Sequence, residues 1–128
     1  MESGCPFCTP ETERVFYESE LVVGLWDRYP VSPGHALMVP RRHVGGWFDA
    51  SQEEQQALIA ALEVAKREIE KNHEPDSYNI GVNSGEAAGQ TVLHLHLHLI
   101  PRYTGDEEDP RGGIRKLFPG RARYWEHS

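Results

Sequence analysis

Residues 93–99 read Leu-His-Leu-His-Leu-His-Leu and run on into Ile100 and Pro101. Strict alternation is the period of a β-strand, in which successive side chains point to opposite faces. The segment therefore predicts a strand, beginning at about Thr91, with one face of leucine and one of imidazole. Leucine is ordinary core material. Adjacent imidazoles are not, because a neutral polar ring taken out of water has to be hydrogen-bonded or used. The chemistry of the chain is expected on this strand.

Three readings of the imidazole face are open. A single metal centre using all of His94, His96 and His98 meets a geometric obstacle. Positions i and i+4 of a strand lie about 13 Å apart, whereas two ligands of one zinc are about 3–4 Å from each other. Two neighbouring histidines at most can share a metal. A purely structural row of buried histidines is the second reading. The third is a division of labour, one ring acting as nucleophile while its neighbours orient it or bind substrate, which suits a side chain with two chemically distinct nitrogens.

The rest of the chain supplies a frame for that strand. Residues 13–18 and 21–26, rich in Val, Phe, Tyr and Leu and split by Ser19-Glu20, predict a hairpin. Pro33-Gly34 precedes a strand over His35–Val39, which Pro40 ends. Ser51-Gln52-Glu53-Glu54 fits a capping box, and Ala57, Leu58, Ala61, Leu62, Ala65 and Ile69 recur at helical spacing, so a helix is expected from there to about His73. Tyr78–Asn83 predicts another strand. Strands around one long helix, without alternating β-α-β units, imply an α+β fold with a mostly antiparallel sheet.

Two further segments carry polar chemistry. Cys5-Pro6-Phe7-Cys8 lies ahead of any strand, which argues against a thioredoxin-like redox pair. Half of a tetrahedral zinc site fits better, with His43 and one triad histidine as candidate partners and His35 as a competitor; two unligated thiols are the alternative. The loop Gly81–Thr91 carries glycines at 81, 85 and 89 but lacks the Gly-Lys-Ser/Thr ending of a P-loop. It allows close backbone approach to a ligand, with Asn83, Ser84, Gln90 and Thr91 as neutral hydrogen-bonding groups, or it is a plain turn between strands.

Composition narrows the classes. The chain has 128 residues, 38% hydrophobic and 26% charged, which suits one soluble domain with its own core. No run approaches a membrane span, and the first residues lack the pattern of a secretory signal. A short C-x-x-C is not a disulfide framework, so a reducing, cytoplasmic setting is expected. A formal charge of −7 argues against non-specific nucleic-acid binding. Residues 110–125 nevertheless hold five bases and no acid. This stretch, Arg111 and Arg115 included, is either a solvated surface or reaches toward an anionic ligand.

The sequence His94-x-His96-x-His98-Leu99-Ile100 resembles the signature of the histidine-triad (HIT) family of nucleotide hydrolases and transferases. The lead-in Gly89-Gln90-Thr91-Val92, the exit Ile100-Pro101-Arg102, the segment Pro33–Pro40 and the N-terminal Cys-x-x-Cys are similar to the same family. The likeness covers roughly residues 5–103, and Gly85–Val92 is most similar to the fragile-histidine-triad branch, whose members split dinucleoside polyphosphates. It implies a HIT-like α+β fold over residues 1–128, a five-stranded antiparallel sheet with one long helix, paired as a homodimer with a continuous ten-stranded sheet. Residues 1–10 would be a zinc-knuckle segment and 104–128 a basic, Gly/Pro-rich tail.

The resemblance also implies roles. His96 would attack the α-phosphorus of a nucleotide and form a nucleotidyl-histidine intermediate, with its other ring nitrogen held by the backbone carbonyl of His94. His98 and Gln90 would contact the α-phosphate or the bridging oxygen, with Thr91 nearby. His35 and Asn83 would line the site, and Leu21 to Asp27 would cradle base and ribose. In zinc-bearing members the ligands map onto Cys5, Cys8, His43 and His94, giving one structural zinc per chain and no organic cofactor. The expected partners are a nucleotide and a second copy of the chain, with neither membrane nor nucleic acid. Dinucleoside polyphosphates releasing AMP are the leading substrates. Phosphoramidase, nucleotidyltransferase or phosphorylase action are the other enzymatic readings, and a zinc-stabilised nucleotide-binding scaffold is the non-enzymatic one.

Overall fold

A computed structural model describes residues 4–127. Its strands are β1 (Val15–Glu18), β2 (Val22–Trp26), β3 (Ala36–Pro40), β4 (Ser77–Val82) and β5 (Leu97–Arg102), with one long helix, α1 (Gln52–Ile69), between β3 and β4. The strands form one five-stranded sheet in the order β1-β2-β3-β5-β4, and every neighbouring pair is antiparallel. This is the α+β architecture expected from the strand and helix patterns.

The central strand explains where the core sits. All of Ala36–Pro40 is buried, so both faces of the sheet are covered there. On one face Ala36 and Met38 join Val22, Leu97 and Leu99 against Leu58, Ala61, Ala65 and Ile69 of α1. The opposite face of the same strands carries Val23, Leu25, Leu37 and Val39, which Phe7 of the N-terminal segment covers. Burying each such side chain contributes about 1.5–3 kcal/mol, so the two clusters together hold the sheet.

The helix begins as its sequence requires. Ser51 Oγ accepts the backbone N–H of Glu54, and the Glu54 carboxylate accepts the backbone N–H of Ser51. Glu54 is buried and also takes Arg42 at 2.8 Å, which ties the helix start to the loop after β3. The helix ends at Ile69 rather than near His73. The last residues leave the α ladder and close as turns, with both Asn72 and His73 donating to the Ile69 carbonyl. Earlier in the chain, β3 is entered through Gly34, which packs against this helix end and whose φ of +89° puts it in the region that glycine tolerates. A Cβ there would stand 3.1 Å from Ile69 and 3.2 Å from His73.

The histidine segment is the main correction. Strand β5 starts at Leu97, not at Thr91, so of the three histidines only His98 lies in the ladder. Register gives the reason. With Met38 opposite Leu97, one more step of two would set Leu95 opposite Pro40, which has no N–H to continue the pairing. The chain instead turns away, and Leu95 donates its N–H to Val44 in the loop after β3. The alternation still sorts the side chains: Leu95, Leu97 and Leu99 are buried with the helix-side core.

The last segment folds as short 3-10 turns at Gly113–Leu117, Pro119–Arg121 and Tyr124–His127. Arg111 pairs with Asp109 at 3.0 Å and stacks 4.3 Å from the Trp125 ring, while Arg115 lies 4.7 Å over Tyr124. These cations are used within the segment. Among the described residues no helix is long and apolar enough to cross a membrane.

Candidate active site

The end of the β2–β3 hairpin and the start of β5 bring three imidazoles and a carboxylate together. Asp27, just beyond β2, and His35, just before β3, are joined by the Asp27 N–H donating to the His35 carbonyl. Pairing of Leu37 with His98 then sets His98 beside His35, with Nε2 of His35 2.9 Å from Nδ1 of His98. The Asp27 carboxylate lies 3.4 Å from the same His35 nitrogen. The rings of His98 and His96 follow at a centroid separation of 5.0 Å.

The backbone assigns a tautomer to each of these rings. A carbonyl can only accept and a backbone N–H can only donate, so the nitrogen facing one has a known protonation. The N–H of Val31 donates to Nδ1 of His35 at 3.2 Å, which leaves the His35 proton on Nε2. That N–H donates to Nδ1 of His98, so the proton of His98 is on Nε2. His96 donates its Nδ1–H to the His94 carbonyl at 2.9 Å and keeps a lone pair on Nε2. His94 donates its Nε2–H to the Pro40 carbonyl at 2.8 Å and keeps a lone pair on Nδ1. Neighbouring rings therefore offer a nucleophilic nitrogen (His96) and a hydrogen-bond donor (His98).

Burial keeps charge off three of these rings. Burial lowers the pKa of His98 to about 4, with His96 and His35 adding to the effect. Burial likewise lowers His35, opposed by Asp27, and lowers His94, opposed by its bond to Pro40. These rings are neutral at neutral pH.

The lone pair of His94 points at the N-terminal segment. Its Nδ1 is 3.4 Å from Cys5 Sγ, 3.6 Å from Cys8 Sγ and 3.2 Å from Nδ1 of His43, and Cys8 Sγ is 3.2 Å from the His43 nitrogen. All four ligand atoms lie within 4.8 Å of one another. Bond lengths of zinc to sulfur and nitrogen give tetrahedral edges of about 3.6 Å for S···N and about 3.3 Å for N···N, so this group could hold a metal ion. His35, the competing ligand from the sequence, belongs to the other cluster. Burial raises the Cys5 thiol above its ordinary value, so a bound cation would have to displace its proton.

Beside the imidazoles opens a cavity of about 650 Å³, in the range of small-molecule sites. Asp27, His35, Asn83, Thr91, His96 and His98 all line it, as the sequence led one to expect. Of the run from Leu21 to Asp27, Asp27 is the residue that reaches it. Gln90 is placed elsewhere: its buried amide accepts from Gly85 N–H and donates to the carbonyls of Gly45 and Val92. It pins the loop that carries the triad. Arg111 and Arg115 also lie away from the cavity of their own chain.

Sequence reasoning missed the wall formed by Phe7, Glu11 and Arg14, together with Arg28 and Tyr29 after β2. Phe7 packs its ring 5.0 Å from that of His96. The available signal was the position of Phe7 between the cysteines: whatever draws Cys5 and Cys8 to His94 carries the residue between them to His96.

With this geometry in view, comparison with known proteins is direct. The HIT domain profile matches residues 9–105, and the chain belongs to the HIT domain family. It is 41% identical over 93 residues to the bis(5'-adenosyl)-triphosphatase of Saccharomyces cerevisiae, a match covering 72% of this chain and 45% of that protein. It is 36% identical over 97 residues to the asymmetrical bis(5'-nucleosyl)-tetraphosphatase of Schizosaccharomyces pombe, covering 76% and 53%. The chain thus spans about half the length of these yeast relatives. Among solved structures, a zinc-bound histidine triad family protein from Mycobacterium smegmatis matches with a TM-score of 0.72 at 29% identity, over 98% of both chains. A HIT family protein from Bacillus anthracis matches with a TM-score of 0.74 at 26% identity, over 100% of this chain and 99% of the other.

The depressed pKa of His98 predicts a pH-dependent stability. Between about pH 6.5 and 4 the unfolded chain binds a proton there that the folded chain refuses, so stability falls as the pH drops through that window. Urea unfolding at pH 6.5 and 4.5 should show the wild type losing roughly 2 kcal/mol more than His98→Asn. Equal losses would mean that His98 titrates normally.

Proposed function

We propose that the chain is a nucleotide hydrolase that cleaves at the α-phosphate through a covalent intermediate on His96, acting on dinucleoside polyphosphates and releasing AMP. The observation that carries this function is the pair of fixed tautomers, a lone pair on His96 Nε2 beside a proton on His98 Nε2. Nε2 of His96 forms a bond to the α-phosphorus while the bond from phosphorus to the bridging oxygen breaks. The departing nucleoside polyphosphate leaves as an anion that His98 Nε2–H stabilises by hydrogen bonding. Water then attacks the same phosphorus, the N–P bond breaks, and the proton of the water passes to the medium with the AMP. The names of the two yeast relatives support dinucleoside polyphosphates as the substrate class.

Cys5, Cys8, His43 and His94 would hold one structural zinc, with all four coordination positions filled by the protein. The M. smegmatis neighbour supports the choice of metal. Zinc would fix His94, whose carbonyl orients His96, and would hold Phe7 over the nucleophile. Reduced cysteines of this kind suit a cytoplasmic protein. Residues 4–127 would act as one HIT domain, the zinc segment in front and the basic tail behind.

A homodimer joined along β4 would complete the assembly. Strand β4 lies at the sheet edge, and Ile80, Ile59 and Phe48 beside it are 49%, 55% and 86% exposed. Sedimentation should report a dimer that Ile80→Lys converts to monomer; a monomeric wild type would end this part of the proposal.

The decisive test is incubation with diadenosine tri- and tetraphosphate and with adenosine 5'-phosphoramidate. Wild type should release AMP from the polyphosphates, and His96→Ala should lose on the order of 10³-fold or more of that activity. Acid-quenched mass spectrometry should find adenylate on His96. An active His96→Ala protein removes the covalent mechanism, and preference for the phosphoramidate moves the chain to the phosphoramidase class. For the metal, elemental analysis should find one zinc per chain in wild type and none in Cys5→Ser, Cys8→Ser; retained zinc in the double variant refutes the ligand set.

A further inference from the structure

Two acids, Glu11 and Asp27, and two arginines, Arg14 and Arg28, line the cavity, and they are not all paired. Arg28 is paired with Glu11 at 3.1 Å. The Asp27 carboxylate accepts the Tyr29 N–H at 2.7 Å and faces His35. His35 and His98 are held neutral by burial. Arg14 stands on the same N-terminal wall as Phe7, and among the described residues no carboxylate or carbonyl takes its guanidinium. Its Nε is buried without a hydrogen-bond partner, the sole such side-chain atom among the described residues. Nε is shielded from solvent, so the atoms that a ligand in the cavity can reach are the terminal guanidinium nitrogens, which also have no partner among the described residues.

Placement makes that ligand specific. Backbone pairing anchors Arg14: its N–H donates to the Glu11 carbonyl, and the next residue, Val15, sits opposite Leu25 in the sheet. An α-phosphate, esterified to ribose on one side and anhydride-linked on the other, carries a single negative charge, and in the mechanism above the His98 N–H meets the oxygen that leaves it. A phosphate chain beyond the scissile bond carries further charge that no other unpaired cation in the cavity lining meets. The planar guanidinium matches phosphate oxygens in pairs, which an ammonium does not.

We infer that Arg14 is the specificity-determining residue for the leaving group, binding the phosphates beyond the bond that His96 breaks and selecting polyphosphate substrates over those with an uncharged leaving group. This assignment rests on the hydrolase function proposed above and adds the residue that sets its substrate preference.

Turnover and binding together test it. In Arg14→Ala, kcat/KM for diadenosine tetraphosphate should fall about 10- to 100-fold, while that for adenosine 5'-phosphoramidate should change less than about 3-fold. Arg14→Lys should recover only part of the loss. Calorimetry on His96→Ala protein, with and without Arg14→Ala, compares ATP with AMP and is independent of catalysis. The affinity ratio in favour of ATP should fall about 10-fold when Arg14 is removed. If wild type turns over neither substrate but the ratio falls, the hydrolase function fails and the phosphate assignment stands. Equal losses on both substrates, or an unchanged ATP to AMP ratio in a variant with wild-type thermal stability, overturn the assignment.

Discussion

One buried residue, His94, connects every part of the site. Its side chain is fully buried and its ring has no freedom left, because Nε2–H is given to the Pro40 carbonyl at the end of β3. That single bond directs Nδ1 toward Cys5, Cys8 and His43, and so brings the N-terminal segment onto the sheet. The backbone carbonyl of the same residue holds Nδ1–H of His96, which exposes the Nε2 lone pair to the cavity. Loss of the ring would leave the Pro40 carbonyl unpaired and the cluster without its buried member.

The second relation is electrostatic. Neighbouring imidazoles would repel one another if charged, and burial keeps His35, His94 and His98 neutral instead. Neutral rings have one donor and one acceptor each, so they form a directed chain from Val31 N–H through His35 to His98. Positive charge is supplied from outside the row, by arginines on the cavity wall. The lone pair of His96, the donor of His98 and the cation of Arg14 are therefore separate groups, each with its own surroundings.

Much of this was legible in the chain itself. The alternation of leucine and histidine named the two faces of the segment, the S-x-x-E box named the first turn of the helix, and the apolar runs named the strands. The geometric bound on metal sharing correctly separated His94 from His98. What failed was the assumption that alternation means a strand throughout. Residues 91–96 alternate yet lie outside the ladder, because Pro40 on the neighbouring strand cannot donate to it. Gln90 and the tail arginines had the chemistry of phosphate ligands, but their partners are a loop backbone and nearby aromatic rings and acids.

Local pattern thus determined the elements, the family and the candidate residues of the site, since periodicity, caps and motif spacing are properties of neighbours along the chain. The tertiary structure alone decided which nitrogen of each histidine bears the proton, that Phe7 lies on His96, and that Arg14 is left unpaired in the cavity. Each of those depends on contacts between segments far apart in sequence: Pro40 with His94, Cys5 with His94, Phe7 with His96. Their separations are set by sheet register and packing, and no local pattern encodes them.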